Sequence, residues 1–344
     1  MPLEVLQEVQ AEFLDFQHTG MSIVEISHRS AAYQAMQDDV KATLRRLLSI
    51  PDGYAVIFMQ GGGSMQFVMH AANFLKSKGG YINTGVWSDK AMKAAQFFGT
   101  TYEVASSKGD GFTYIPSPDT FSVQDGTDYV YITSNNTIHG TEWQTYPSFD
   151  VPLFCDMSSD FLSRPFDVSN FDFVYAGAQK NVGPAGVVVG IIKEELLKQA
   201  RTDLPDMLKY QTYVDKDSTY NTPPVFGIYF VGKVLHWLED HGGLAAMASR
   251  NKEKADLVYS VLDSSDGFYR GHARKDSRSR MNVTFNLPSP ELEAEFAAKA
   301  AEKGLIGLKG HRSIGGCRAS LYNAVTLEGC QALADFMETF RQNH

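Results

Sequence analysis

Apolar positions along the chain alternate between two periods. Residues 3–14 carry them at helical spacing after Pro2, which suits a first helical turn, and residues 31–48 read as a second helix. Short continuous apolar runs then predict buried strands at residues 54–59, 129–134, 151–156, 171–175 and 186–192. Residues 80–99 read as a strand passing into a helix, with Ser88 as N-cap and Gly99 as C-terminal stop. Strands alternating with helices predict a largely parallel sheet covered on both faces. Ligands of such sheets bind at the carboxyl ends of the strands.

Further along, residues 223–262 read as helices interrupted at His241-Gly242-Gly243. A strand at 280–285 follows, then a helix opened by Ser289-Pro290-Glu291 and closed by Gly304, and a strand-like run at 306–310. This predicts an α/β body over residues 1–245 and a smaller C-terminal α+β domain over 246–344, with the first helix free to pack on the smaller part.

Composition narrows the picture. The 344 residues suffice for two domains, and 43% hydrophobic with 21% charged residues describe an ordinary globular chain. A net charge of -9 argues against nucleic acid and anionic membrane surfaces as partners, so an anionic ligand requires a local basic cluster. Cys155, Cys317 and Cys330 are odd in number and lack metal-ligand spacing, and no charged-then-apolar leader opens the chain, which fits a reducing cytoplasm and no metal. The longest apolar run is far too short to span a bilayer.

The candidate chemistry gathers where strands end. Lys180 falls between the strands at 171–175 and 186–192, in a connection rich in Gly, and an ammonium beside a core strand is costly unless paired or neutralised. A Schiff-base lysine explains that position, and so does a lysine snorkelling out of a turn. Gln60-Gly-Gly-Gly63-Ser64, between strand and helix, makes an anion cup in which free N–H groups, the helix dipole and a hydroxyl favour phosphate. It matches neither the Walker nor the dinucleotide pattern, so a small phosphate ester fits better than a nucleotide, and a plain tight turn remains the alternative. Trp87 offers a flat face for an aromatic cofactor or a core side chain, and Asp156 a carboxylate at a strand end or a turn cap. Phosphate cup, aromatic plate, carboxylate and lysine together describe covalently held pyridoxal 5'-phosphate, with Asp156 keeping the pyridine nitrogen protonated and Lys180 serving as anchor and base.

At Ile26-Ser-His28-Arg29-Ser30, Gln60-Gly-Gly-Gly63-Ser64-Met-Gln-Phe67, Asn135-Asn-Thr137-Ile-His-Gly-Thr-Glu142, Asp156-Met-Ser-Ser-Asp-Phe-Leu-Ser-Arg-Pro165 and Ala178-Gln-Lys180-Asn-Val-Gly-Pro, the chain resembles the phosphoserine aminotransferases, which are fold-type I pyridoxal phosphate enzymes. Tyr220-Asn221-Thr222-Pro-Pro224 and Gly310-His311-Arg312-Ser-Ile-Gly-Gly-Cys-Arg318 extend the likeness to nearly the whole length. The resemblance implies Lys180 as Schiff-base lysine, Asp156 as pyridine partner and Trp87 as stacking residue, with Gly63, Ser64, Thr137 and Gln179 completing the pocket. It also implies that Asn221 and Thr222 reach the cofactor phosphate from the neighbouring subunit of a homodimer with shared active sites. Family members usually begin with a short Phe-Ser/Asn-x-Gly-Pro-Ala segment, absent before Met1-Pro2, so substrate affinity and dimer stability are expected to differ.

The implied substrates, O-phospho-L-serine, 3-phosphooxypyruvate, L-glutamate and 2-oxoglutarate, each carry two anionic groups, which suits arginine forks. Arg318 is expected to hold the α-carboxylate, and His311 and Arg312, with His28 and Arg29 from the partner, the distal anion. Three rivals remain. Alanine–glyoxylate transamination shares Lys180 and Asp156 without needing His311-Arg312. A cysteine desulfurase needs a mobile thiol, for which Cys317 between Gly316 and Arg318 is badly placed. A non-enzymatic phosphometabolite-binding protein keeps the sheet and basic cluster without using the lysine.

Overall fold

The structure is a computed structural model that describes residues 1–344. The chain opens with α1 (Leu3–Glu12) and α2 (Ala31–Leu48), the latter capped by Ser30, whose hydroxyl accepts from the Tyr33 N–H. An alternating stretch follows: β1 (Tyr54–Met59), α3 (Gly62–Phe74), β2 (Lys78–Asn83), α4 (Val86–Ala95), β3 (Thr100–Ser106) and β4 (Thr127–Thr133). A two-residue ladder of β5 (Asn135–Asn136) and β6 (Thr141–Glu142) shapes the loop beyond β4. Next come β7 (Leu153–Asp156), β8 (Phe173–Gly177), β9 (Val188–Lys193), short α5 (Glu194–Leu197) and α6 (Tyr210–Asp215), then long α7 (Val225–Asp240) and α8 (Gly243–Asp263). The C-terminal part holds β10 (Arg270–Gly271), β11 (Asn282–Asn286), α9 (Pro290–Glu302), β12 (Cys317–Ser320) and α10 (Leu327–Gln342).

Seven strands form the main sheet in the order β1-β9-β8-β7-β4-β2-β3. Only β9 runs against its neighbours, and the remaining pairs are parallel. Every residue of β1, β7 and β8 is buried, because helices cover both faces. The two-residue period sorts their side chains: Val56, Phe58, Val130, Ile132, Cys155 and Val174 pack toward α2 and α7, while Ile57, Tyr129, Tyr131, Phe154, Phe173 and Tyr175 pack toward α3 and α6. Each large side chain buried this way contributes about 1.5–3 kcal/mol. Interior tyrosine hydroxyls pair with one another, Tyr81 with Tyr129 and Tyr131 with Tyr175, each at 2.7 Å, which removes the cost of burying them alone.

A three-stranded antiparallel sheet, β10-β11-β12, and α8, α9 and α10 enclose a separate apolar cluster. Helix α8 joins the two bodies: Leu244 and Met247 belong to the main core, and Ala255, Val258 and Leu262 to the C-terminal one. α1 packs on α7 and belongs to the main core through Val5 and Val9. No helix is long and apolar enough to cross a membrane.

Three local expectations are corrected. Ser88 is not the cap of α4 but its third residue, and its hydroxyl reaches back to accept the N–H groups of Thr84 and Gly85, each at 3.0 Å. Gly99 does not end that helix, which stops at Ala95; a Cβ at Gly99 would lie 2.9 Å from Leu75 Cγ, so close packing requires the glycine. Residues 306–310 form no strand beyond one bridge of Lys309 to Cys317, since Gly307 sits at φ +80° and Ile306 is 81% exposed.

Candidate active site

The strand ends build the site. At the exit of β1, Gly61 adopts φ +88°, and a Cβ there would lie 2.7 Å from Met65 Cβ, so only glycine makes this turn into α3. The turn delivers Gly63 and Ser64 to the first turn of α3, where backbone N–H groups lack partners within the helix. No side chain caps that end. A Cβ on Gly63 would lie 3.3 Å from Ser158 Oγ and 3.9 Å from Asp156 Oδ2, which brings the start of α3 against the end of β7.

Asp156, the last residue of β7, is 5% exposed and its Oδ1 accepts the Ser158 N–H at 2.8 Å. The turn-cap reading of the sequence is therefore observed, and the same carboxyl also lines the pocket. Burial raises its pKa; the bonds from Ser158 and the charge of Lys180 oppose the rise. Ser158 Oγ in turn accepts the Gly177 N–H at 3.0 Å, fixing the exit of β8 beside that of β7.

Beyond Gly177 the chain turns tightly, with the N–H groups of Val182 and Gly183 both donating to Ala178 O at 3.0 Å. The turn holds Lys180 half-buried, its Nζ donating to Thr137 Oγ1 at 2.7 Å and lying 5.3 Å from the centroid of Trp87. Burial lowers its pKa to about 8 against the attraction of Asp156, while nearby Arg318 lowers it further. Roughly a tenth of the amine is then neutral at pH 7. A snorkelling lysine would place its amine in water, whereas here the Nζ donates to Thr137 Oγ1.

One pocket of about 460 Å³ is lined by Gly63, Ser64, Trp87, Asp156, Gln179 and Lys180. Thr137 joins it through its bond to Lys180. Phe67, Thr133, Asn135, Ser158 and Ser159 also line it, and sequence reasoning missed them. For Ser158 and Ser159 the signal was the Asp156-Met-Ser-Ser run; Thr133 and Asn135 flank the end of β4 and looked like ordinary strand-end polar residues.

The expected substrate residues fall in two places. Arg318 lies on β12 opposite Thr284, and its Nη1 donates to Thr137 O at 3.4 Å, which brings the C-terminal sheet to the lysine pocket. His311 and Arg312 lie on a loop anchored by Glu293, whose Oε2 accepts the Gly316 N–H at 3.1 Å. Burial lowers the pKa of His311, as do the charges of Arg318, Arg312 and Lys90. By contrast, His28, Arg29, Asn221 and Thr222 do not line the lysine pocket; they line a second pocket of their own. Thr222 O there accepts from Gln60 Nε2 at 2.9 Å.

Pyridoxal phosphate fits the first pocket. The start of α3 offers N–H groups to a phosphate, Trp87 a flat ring, Asp156 a buried carboxyl and Lys180 an amine. Two buried lining atoms, Trp87 Nε1 and Thr133 Oγ1, have no partner within the protein.

Comparison with known proteins agrees with this geometry. The class-V aminotransferase family matches residues 1–333. The phosphoserine aminotransferase of Halalkalibacterium halodurans is 53% identical over 100% of this chain and 96% of its own. A phosphoserine aminotransferase solved in a study of radiation damage to its Schiff base superposes with a TM-score of 0.98 at 48% identity, covering 100% of this chain and 97% of that one. The pyridoxal phosphate-bound enzyme from Trichomonas vaginalis superposes with a TM-score of 0.94 at 36% identity, over 98% and 97% of the two chains. This chain belongs to the class-V aminotransferases and, within them, to the phosphoserine aminotransferase family.

Proposed function

We propose that the chain transfers an amino group reversibly between O-phospho-L-serine with 2-oxoglutarate and 3-phosphooxypyruvate with L-glutamate, using Lys180 as anchor and proton carrier. One observation carries the reading: an amine whose pKa burial lowers to about 8 shares a pocket with a flat indole, a buried carboxyl and a helix start suited to phosphate. Pyridoxal phosphate, when bound there, supplies an electron sink for the substrate carbon.

The chain's own residues do the rest. Gly63 and Ser64 would hold the cofactor phosphate at the start of α3, with Trp87 offering its indole to the ring and Thr137 and Gln179 completing the pocket. Asp156, acting as carboxylate, keeps a proton on the ring nitrogen. Lys180, partly neutral at physiological pH, takes the proton from the substrate Cα and returns it at the neighbouring position. Arg318 receives the α-carboxylate in a bidentate grip, fixing which substrate bond stands across the ring. His311 and Arg312 receive the distal phosphate or carboxylate.

Each subunit completes its neighbour's site in this reading. His28, Arg29, Asn221 and Thr222 gather in a pocket apart from their own chain's Lys180, which supports a homodimer in which the partner's Asn221 and the partner's Thr222 reach the phosphate. We also propose the functional division at residues 245 and 246, in the first turn of α8, the helix that links both cores. A cytoplasmic setting is supported by three buried free cysteines. The reading is tested by the visible spectrum of the purified protein: glutamate should change it and 3-phosphooxypyruvate should restore it. A colourless preparation that stays inert when supplied with pyridoxal phosphate would overturn the proposal.

A further inference from the structure

Helix α4 carries two lysines with different surroundings. Lys93 Nζ pairs with Asp89 Oδ2 at 2.6 Å, and Lys108 approaches the other oxygen of that carboxylate at 3.9 Å. Lys90, next to Asp89 in the chain, has no carboxylate partner; its Nζ stands 4.8 Å from the centroid of Trp87, the ring that Lys180 approaches at 5.3 Å. An ammonium over an indole is held by the ring's negative face, which keeps an exposed lysine at the pocket mouth instead of sweeping through solvent.

The charges that bear on His311 share one sign: they belong to Arg318, Arg312 and Lys90. In a chain of net charge -9 such a concentration is not a product of composition, and the mutual repulsion in the free protein is relieved when an anion arrives. A phosphate monoester brings close to two negative charges and a glutamate side chain one, so each added cation favours the former.

We propose that Lys90 is a specificity-determining residue, a further cation of the subsite where His311 and Arg312 receive the distal anion, favouring phosphorylated substrates over dicarboxylates. This rests on the subsite assignment made under the proposed function.

The test uses holoenzyme with Lys90→Met and Lys90→Arg, each checked for bound cofactor by its visible absorbance. Lys90→Met should raise KM for phosphoserine about tenfold and KM for glutamate about twofold or less, since the attraction lost scales with substrate charge. Inhibition by inorganic phosphate should weaken by the same factor as phosphoserine binding. Lys90→Arg should restore selectivity, because the charge returns while the stem differs. Equal losses for both donors, or a loss that Arg does not restore, would assign Lys90 to the packing of Trp87 and overturn the proposal, as would an unchanged KM for phosphoserine. Failure of the parent enzyme to turn over phosphoserine would instead strike the proposed function, and it shows before any variant is made.

Discussion

The side-chain oxygen of Asn181 accepts the backbone N–H of Asn323 at 2.9 Å, tying the residue after Lys180 to the segment that follows β12. Asn323 Nδ2 donates to Leu162 O at 2.9 Å, and its Oδ1 accepts from Asn251 Nδ2 at 2.8 Å. Asn181 Nδ2 donates to Phe161 O at 2.7 Å. The lysine turn, the loop after Asp156 and the strand bearing Arg318 thus share one buried amide network, which sets how far Lys180 stands from Arg318.

Asn323→Ala removes two buried partners at once, leaving Leu162 O and one Asn251 donor without that bond. Each buried group stranded in this way costs about 1–3 kcal/mol. The urea midpoint should fall accordingly with the slope unchanged. An unaltered midpoint would mean that solvent reaches the network, contrary to the 1% exposure of Asn251.

Lys180 should cost stability where it serves function. Its folded pKa, about 8, lies below the ordinary value of 10.5. Between those values the unfolded chain binds a proton that the native chain lacks, so stability rises with pH through that window, and below pH 8 the full penalty of the buried charge applies. Lys180→Met should therefore abolish turnover yet leave the cofactor-free protein more stable at pH 7, by up to about 3 kcal/mol at 1.36 kcal/mol per pKa unit. The gap should close toward pH 10.5. Equal denaturation midpoints of the two cofactor-free proteins at pH 7 would contradict the burial argument.

The same lowered pKa governs recombination with cofactor. Attack on an aldehyde requires the neutral amine, whose fraction grows about tenfold per pH unit below the pKa. The rate at which cofactor-free protein regains its visible band should climb from pH 6 and level off above about pH 8. A rate still climbing at pH 10 would indicate an unshifted lysine.

The architecture was legible because most strands of the main sheet are buried on both faces and read as apolar runs, as in Tyr54–Met59, whereas the edge strand Thr100–Ser106, with one buried residue, carries no such run and was missed. Candidate site residues were legible for the same geometric reason, since Gly63, Asp156 and Lys180 stand at or shortly beyond the ends of the buried strands. What escaped were roles decided by contacts between distant segments. Ser88 precedes nothing that marks it as a third residue instead of a cap, and Gly99 has the look of a helix stop until Leu75 is seen against it. Ile306 and Leu308 suggested a strand, but glycines at positive φ free the backbone there, and while Leu308 is buried in the C-terminal core, Ile306 stays exposed. That His28 and Arg29 would stand apart from their own chain's Lys180 followed from family likeness alone, because no local sequence pattern separates them from it.

Glu293 should act on substrate binding without touching substrate. Its carboxylate accepts from Asn286 Nδ2 at 2.9 Å and the Leu287 N–H at 3.3 Å through Oε1, and from the Gly316 N–H through Oε2. Those bonds brace the loop that carries His311 and Arg312, already tight because a Cβ at Gly310 would lie 2.0 Å from Gly315 O. Glu293→Ala should raise KM for phosphoserine several-fold, with kcat reduced about twofold or less, and should expose the loop to proteolysis between Gly310 and Gly316. A loss in kcat alone would show that the brace serves the chemistry instead.

Shared active sites make a distinctive demand on mixed dimers. In the proposed dimer a Lys180→Ala chain lacks the amine of its own pocket but still lends Asn221 and Thr222 to its neighbour. An Asn221→Ala/Thr222→Ala chain keeps Lys180 but leaves the neighbouring phosphate poorly held. Each homodimer is impaired at both sites. A heterodimer of the two places an intact Lys180 opposite an intact Asn221-Thr222 pair in one site and both defects in the other. Dissociating and reassociating an equal mixture, in which half of the dimers are mixed by random pairing, should therefore restore about a quarter of parental sites, while either variant treated alone should recover nothing. If mixing yields only the average of the two separate activities, each chain works with its own residues, and the second pocket must serve some purpose other than its neighbour's cofactor.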